Sequence, residues 1–174
     1  MVMRVVCVGN RGSDLPTSVR SISPDSGSVR FDLTVGAAYA VYAMAARQGN
    51  LGLLVLNDHA RPVWSHVELF QFADATLPAG WGFTTRDEEV FGIGALWGYR
   101  SLIQKPSHNA ALMERERGAW KDFLADNEWA MREGPDQAKM RMLNDMFRSG
   151  RTFRKAPDMG PGAPVTGGGG SSGP

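Results

Sequence analysis

"LTVGAAYAVYAMAARQGNLGLLVLND", Leu33 to Asp58, decides the fold. Its alanines would suit a helix over residues 37–47, so composition alone leaves two structures open. The pattern favours strands. Tyr39, Val41 and Ala43 alternate with Ala40, Tyr42 and Met44, Gly36 opens the run and Gly49 closes it. Gly49-Asn50 supplies left-handed turn conformations, and Leu51 to Leu56 forms the returning strand of a hairpin.

Working outward, Asn57-Asp58 reads as a turn in which the Asp side chain bonds its own backbone. The following "VELFQFAD" is another strand, with Val67, Leu69, Phe70 and Phe72 toward apolar neighbours. Upstream, "MRVVCV" is a strand that ends in the turn "GNRGSDLP", and the Ser-rich "TSVRSISPDSGSVRF" is a long surface loop. Downstream, "LPAGWGFTTRDEEVF" is a turn, a short strand and an acidic loop. Short strands punctuated by turns at such intervals predict a small barrel or sandwich.

From Trp97 the pattern becomes helical. "GYRSLIQKP" is a short helix stopped by Pro106, and Leu112, Met113, Ala119, Trp120, Phe123 and Leu124 share a helical face weakened at Gly118. A last helix begins near Pro135, displays Met142, Leu143, Met146 and Phe147, and stops by Gly150. The fold class is α+β. Residues 1–96 form the β-rich part, 97–150 a helical extension packed on it, and 151–174 a Gly/Pro/Ser-rich tail too poor in apolar surface to offset its ordering entropy.

The chain has 174 residues, 43% of them hydrophobic, enough for the core of one ordinary domain. A formal net charge of +1 gives no strong global field toward phosphates or anionic membranes. The charge is uneven, however. Residues 1–99 carry 7 Lys and Arg against 9 Asp and Glu, and residues 100–155 carry 12 against 8, a local net of +4. The single cysteine, Cys7, has no disulfide partner within the chain, and no apolar run is long enough to span a bilayer, so a cytoplasmic location is expected.

Several pieces, in order, resemble a widespread group of small bacterial proteins with no established activity. The carriers are Cys7, Asn10, Gly12, Leu15 and Pro16; then Leu33, Thr34, Gly36, Tyr39, Val41 and Tyr42; then Asp58, Leu69, Phe70 and Trp81; and finally Leu112, Glu114, Arg115, Glu116, Ala119 and Phe123. The resemblance covers about residues 4–125, and its weight lies in the order of the pieces. Where many relatives carry a Tyr/Trp-Pro element before Leu-Phe, this chain has Ser65-His66. The resemblance implies an SH3-like small barrel of about five strands with two or three C-terminal helices. Some relatives resemble the immunity proteins that accompany bacterial toxins.

Asp58, His59 and His66 are the candidates for acid/base work or metal binding. The only other histidine, His108, lies at a helix start, and the ligand inventory is too thin for a metal site. Cys7 sits inside "VVCV", which suits a buried apolar side chain better than a nucleophile. Neither G-x-S-x-G nor H-E-x-x-H occurs, and no glycine run has a phosphate-loop context. These inventories assign no catalytic residue, no metal and no cofactor. Among the large rings, Trp64 and Tyr42 are the groove candidates, while Trp81 and Trp120 are read as core. Arg115, with Glu114 and Glu116, is read first as a helix-pairing element.

The expected function is a non-enzymatic module that binds a protein partner, with Tyr42, Asp58, His59, Trp64, His66 and Arg115 as contact residues. Neutralisation of a toxin is its narrower form. One alternative is nucleic-acid association through the basic helical half. Another is a small hydrolase or metal enzyme built on Asp58, His59 and His66.

Overall fold

The computed structural model describes residues 2–20, 28–47, 49–87 and 93–149. The expected tail at 151–174, and parts of the Ser-rich and acidic loops, lie outside the described residues. Among the described residues eight strands form in chain order: β1 (Arg4–Cys7), β2 (Ala38–Ala40), β3 (Ala43–Arg47), β4 (Asn50–Leu56), β5 (Pro62–His66), β6 (Phe70–Asp74), β7 (Gly82–Thr85) and β8 (Ala95–Gly98). The α-helices are α1 (Thr17–Arg20), α2 (Arg100–Gln104), α3 (His108–Met113), α4 (Arg117–Asp126) and α5 (Gln137–Arg148). The fold is α+β, with an antiparallel sheet ordered β2-β1-β6 and a second ordered β5-β4-β3-β8-β7.

The run from Ala38 to Arg47 is extended because both of its faces are buried. Tyr39 and Val41 enter one core with Val5, Cys7, Leu53, Val55, Leu69 and Phe70. Ala40, Tyr42 and Ala43 enter the other with Leu54, Leu56, Leu102, Trp120 and Phe123. A helix of this sequence would present one apolar stripe to one core, whereas alternating side chains serve two. β4 does the same: Leu53 and Val55 face the first core, Leu54 and Leu56 the second. The small side chains of Ala40, Ala43 and Ala45 lie on the side shared with the helices.

The run changes sheets in its middle. The Val41 N–H donates to Met3 O at 3.0 Å, and the Tyr42 N–H donates to Leu54 O at 2.9 Å. A second change of sheet follows β5, where a 3-10 turn at Val67–Leu69 leads into β6. Its Leu69 carbonyl accepts from the Val8 N–H at 2.8 Å, tying the turn to the end of β1.

These connections revise the expected barrel. Among the described residues the strands number eight instead of about five, and they form two sheets that are not closed into a barrel. The three extra strands are the division of 38–47 at its bend, β5 at Pro62–His66 and β8 at Ala95–Gly98, where turn and helix were expected. Trp97 lies in β8, so helix begins at Arg100. Asn50 already belongs to β4, and Gly49 takes the left-handed φ of 77°. Phe72, Met113 and Met142 are exposed; Met140 and Leu143 supply the buried face of α5. The break between α3 and α4 falls at Arg115, a non-glycine residue with φ of 63°, and Gly118 lies within α4.

Glycines position the helical layer. Gly82, Gly98 and Ala43 are neighbours across β7, β8 and β3. A Cβ on Gly98 would stand 2.8 Å from the Ala43 Cβ and 3.1 Å from Leu102 Cδ2, and one on Gly82 would stand 3.3 Å from Ile103. The missing side chains let α2 settle on the sheet and hold Tyr99 and Arg100 at its margin. Gly98→Ala is therefore expected to overpack this contact and lower the unfolding free energy by about 1–3 kcal/mol, measured by urea titration.

Candidate functional site

The turn after β4 is built by Asn57. Its Oδ1 accepts from the His59 N–H at 3.1 Å and the Arg61 N–H at 2.9 Å, which frees Asp58 from the turn role assigned to it by sequence. Asp58 reaches across to the long first loop. Its Oδ1 accepts from the Tyr39 hydroxyl at 2.6 Å and its Oδ2 from the Thr34 hydroxyl at 2.8 Å, while the Tyr39 oxygen accepts from the Thr34 N–H at 2.7 Å. Burial, followed by the bond to Asp58, raises the Tyr39 pKa. The phenol stays protonated and donates to the carboxylate, so this cluster clamps the loop at Thr34 to the turn after β4.

A second polar cluster adjoins it. The Lys139 ammonium lies 4.3 Å from the centre of the Tyr39 ring, donates to Leu56 O at 2.9 Å and sits 3.2 Å from Asp136 Oδ1. Asp136 Oδ2 accepts from the Ala40 N–H at 3.1 Å and the Tyr42 hydroxyl at 3.3 Å. Burial raises the Asp136 carboxyl pKa, and Lys139 opposes that shift. The start of α5 is thereby fastened to the strand that separates the cores.

The residues singled out by sequence are not brought together as one groove. Tyr42 is fully buried between Phe123 and Trp129, stacked on the latter at 5.6 Å, so its ring is closed to a partner. Trp64 is half-buried against the second core, and its indole N–H donates to Asn109 Oδ1 at 2.8 Å. His59 is exposed, 3.9 Å from Asp32, whereas His66 meets the Phe31 ring edge-on at 6.3 Å. Arg115 acts through its backbone, ending α3 ahead of the Glu116 N-cap of α4. Cys7 is buried, its thiol directed to Gly9 O at 3.1 Å, and burial pushes its pKa up, against a nucleophilic role.

The buried His108 completes another pair. Its Nε2 lies 2.9 Å from the Tyr99 hydroxyl, and its Nδ1 is 3.9 Å from Asp122 Oδ2, which also pairs with Lys105. Burial lowers the His108 pKa despite Asp122, and burial raises that of Tyr99. Two neutral groups share this bond at pH 7.

On the other side of Tyr99 a cleft of about 290 Å³ opens between the turn at 78–81 and the chain that joins α4 to α5. Trp81, Tyr99 and Trp129 give it aromatic walls, Arg100, Asp126 and Glu133 give it charge, and Asn127 lies in its lining. Gly80, with φ of 88°, turns the chain so that Trp81 follows Pro78 closely. The Asp126 Oδ2 accepts from the Ser101 N–H at 2.7 Å, fixing the acidic wall to α2. Arg100 directs its Nε to Gln104 Oε1 at 3.1 Å. Sequence reading placed Trp81 in the core and passed over Tyr99, Asp126, Asn127, Trp129 and Glu133. The signal available was Trp129 in the polar run "DNEWAMRE", where one large ring stands among charged neighbours.

Comparisons with family models, curated proteins and solved structures give no match. Among the described residues no group of three or more His, Cys, Asp or Glu is placed to hold a metal, and no helix is long and apolar enough to cross a membrane.

Tyr39→Phe removes a hydrogen bond to a carboxylate and is expected to lower stability by about 1.5–3 kcal/mol in urea titration at pH 7. For pH dependence, the unfolded chain protonates His108 near its ordinary 6.5 and the folded chain only below that value. The resulting stability is present above 6.5 and declines as pH falls through the window beneath it. Asp136 has the opposite sign, because its raised pKa lets the folded state take up a proton first. The fall in urea midpoint from pH 7.5 to 5.5 is therefore expected to be smaller in His108→Gln than in the wild type.

Proposed function

We propose that this chain is a non-enzymatic protein-binding module, and that the path from β1 to β6 is an elaborated SH3-like domain. The SH3-like reading is supported by a long first loop, a strand bent between two sheets, and a 3-10 turn before a last strand that returns beside β1. The β7–β8 hairpin and the helices are additions to that plan. One observation carries the binding reading: the cleft among Trp81, Tyr99 and Trp129, where large rings meet polar groups that can fix orientation. At about 290 Å³ it lies at the bottom of the size range for small-molecule pockets and suits part of a polypeptide better than a bulky cofactor.

The carboxylates of Asp126 and Glu133 outnumber the one guanidinium of Arg100 in the lining, the wrong balance for a phosphate backbone. A protein partner is accordingly preferred to a nucleic acid. Neutralisation of a toxin is the narrower form of this proposal, and its support is that the ordered motifs resemble a group some of whose members resemble immunity proteins.

The test is affinity purification of the full chain from its cells of origin, beside a Glu133→Arg variant whose thermal melt matches the wild type. A protein retained stoichiometrically by the wild type and reduced at least tenfold by the variant is the expected outcome. Equal retention by both would remove the cleft from the docking surface. Absence of any retained protein would overturn the binding-module assignment.

A further inference from the structure

The cleft has unmet hydrogen-bonding capacity as well as shape. Asn127 is fully buried, and its Nδ2 donates to Phe123 O at 2.9 Å, but its Oδ1 accepts from no group among the described residues. The Trp81 indole Nε1–H is likewise buried and has no acceptor among the described residues. Both residues line the same cleft. One acceptor and one donor without partners are each expensive to leave in a folded interior, by about 1–3 kcal/mol, and since both atoms are closed to solvent, a complementary molecule meets them by displacing part of the lining.

The charge in the lining narrows the choice. Asp126 and Glu133 stand against Arg100, and the Arg100 Nε is already engaged by Gln104. Indole rings beside carboxylates favour a cation, and the planar guanidinium is the cation that stacks on a ring while its N–H groups reach acceptors at the rim. A guanidinium also brings the donor that Asn127 Oδ1 lacks. It brings no acceptor for the Trp81 N–H; a peptide carbonyl on the same ligand does.

Resting on the binding-module reading, we propose that the cleft receives an arginine side chain on an extended segment of the partner protein. The guanidinium occupies the space between the rings and the carboxylates, and a main-chain carbonyl of the segment accepts from Trp81. A free guanidinium compound meets only the first of these demands.

The experiment uses the full chain with its indole N–H signals followed by NMR, those of Trp81 and Trp129 being assigned with Trp81→Phe and Trp129→Phe. The probe is the blocked pentapeptide acetyl-Gly-Ser-Arg-Ser-Gly-amide, compared with the same peptide carrying neutral citrulline in place of arginine, and with free arginine. The arginine peptide is expected to shift both signals saturably. The citrulline peptide should bind at least tenfold more weakly, and free arginine should bind more weakly than the peptide. Glu133→Gln, an exposed position, should weaken the peptide at least threefold with an unchanged melt.

No saturable shift with the arginine peptide, or equal binding of the citrulline peptide, would overturn the assignment. Equal binding of free arginine would make this a small-molecule site instead of a peptide seat. Tighter peptide binding by the full chain bearing Arg151→Gln and Arg154→Gln would identify the chain's own C-terminal arginines as the occupant, and would also overturn the partner assignment. If Glu133→Arg still abolishes partner capture while citrulline and arginine peptides bind alike, the docking reading stands and the arginine assignment alone falls.

Discussion

The structure depends on a strand that must satisfy two cores at once. Between Ala38 and Arg47 the chain has no solvent face for most of its length, because alternate residues serve opposite sides. That requirement fixes the pairing register: a one-residue slip would send Tyr39 and Val41 into the space shaped for Ala40 and Tyr42. It also accounts for the small residues, since Ala40, Ala43 and Ala45 face the helical layer where larger side chains would hold it away.

The same strand gathers the polar groups. Tyr39 and Tyr42 bury their rings on opposite sides, and each hydroxyl ends on a carboxylate, Asp58 and Asp136 respectively. Lys139 connects the two clusters through the Tyr39 ring and Asp136. Such a network orients α5, and truncating one member would leave another buried without its partner. The clamp and the cleft share a support, because Trp129 stacks on Tyr42 with one face while lining the cleft.

Sequence periodicity was informative wherever structure is local. The hairpin of 43–56, the short helix stopped ahead of Pro106 and the apolar face of α4 were all legible in spacing. The bend at Val41-Tyr42 was not: the expected alternation of Tyr39, Val41 and Ala43 against Ala40, Tyr42 and Met44 breaks there, because Tyr42 and Ala43 both enter the second core and Met44 packs on the first. Asp58 was misassigned because turn chemistry is local, whereas its true partners Thr34 and Tyr39 lie 24 and 19 residues away. The cleft was least legible. Trp81, Tyr99, Asn127 and Trp129 belong to segments whose only connection is the folded chain, and each is an ordinary core or surface residue in isolation.

The two-sided strand also sets an order of events during synthesis. The first core draws on residues from Met3 to Phe70, with Trp81 packed against it, while the second is incomplete until Met140 and Leu143 arrive. The bond from the Ala40 N–H to Asp136 spans 96 residues, and that from Lys139 to Leu56 spans 83. A growing chain therefore presents an apolar sheet face, with Tyr42 and Leu54 upon it, well before its cover exists. Nascent chains that end before Met140 have one core to close and a second exposed, which makes that stage the one most prone to aggregation.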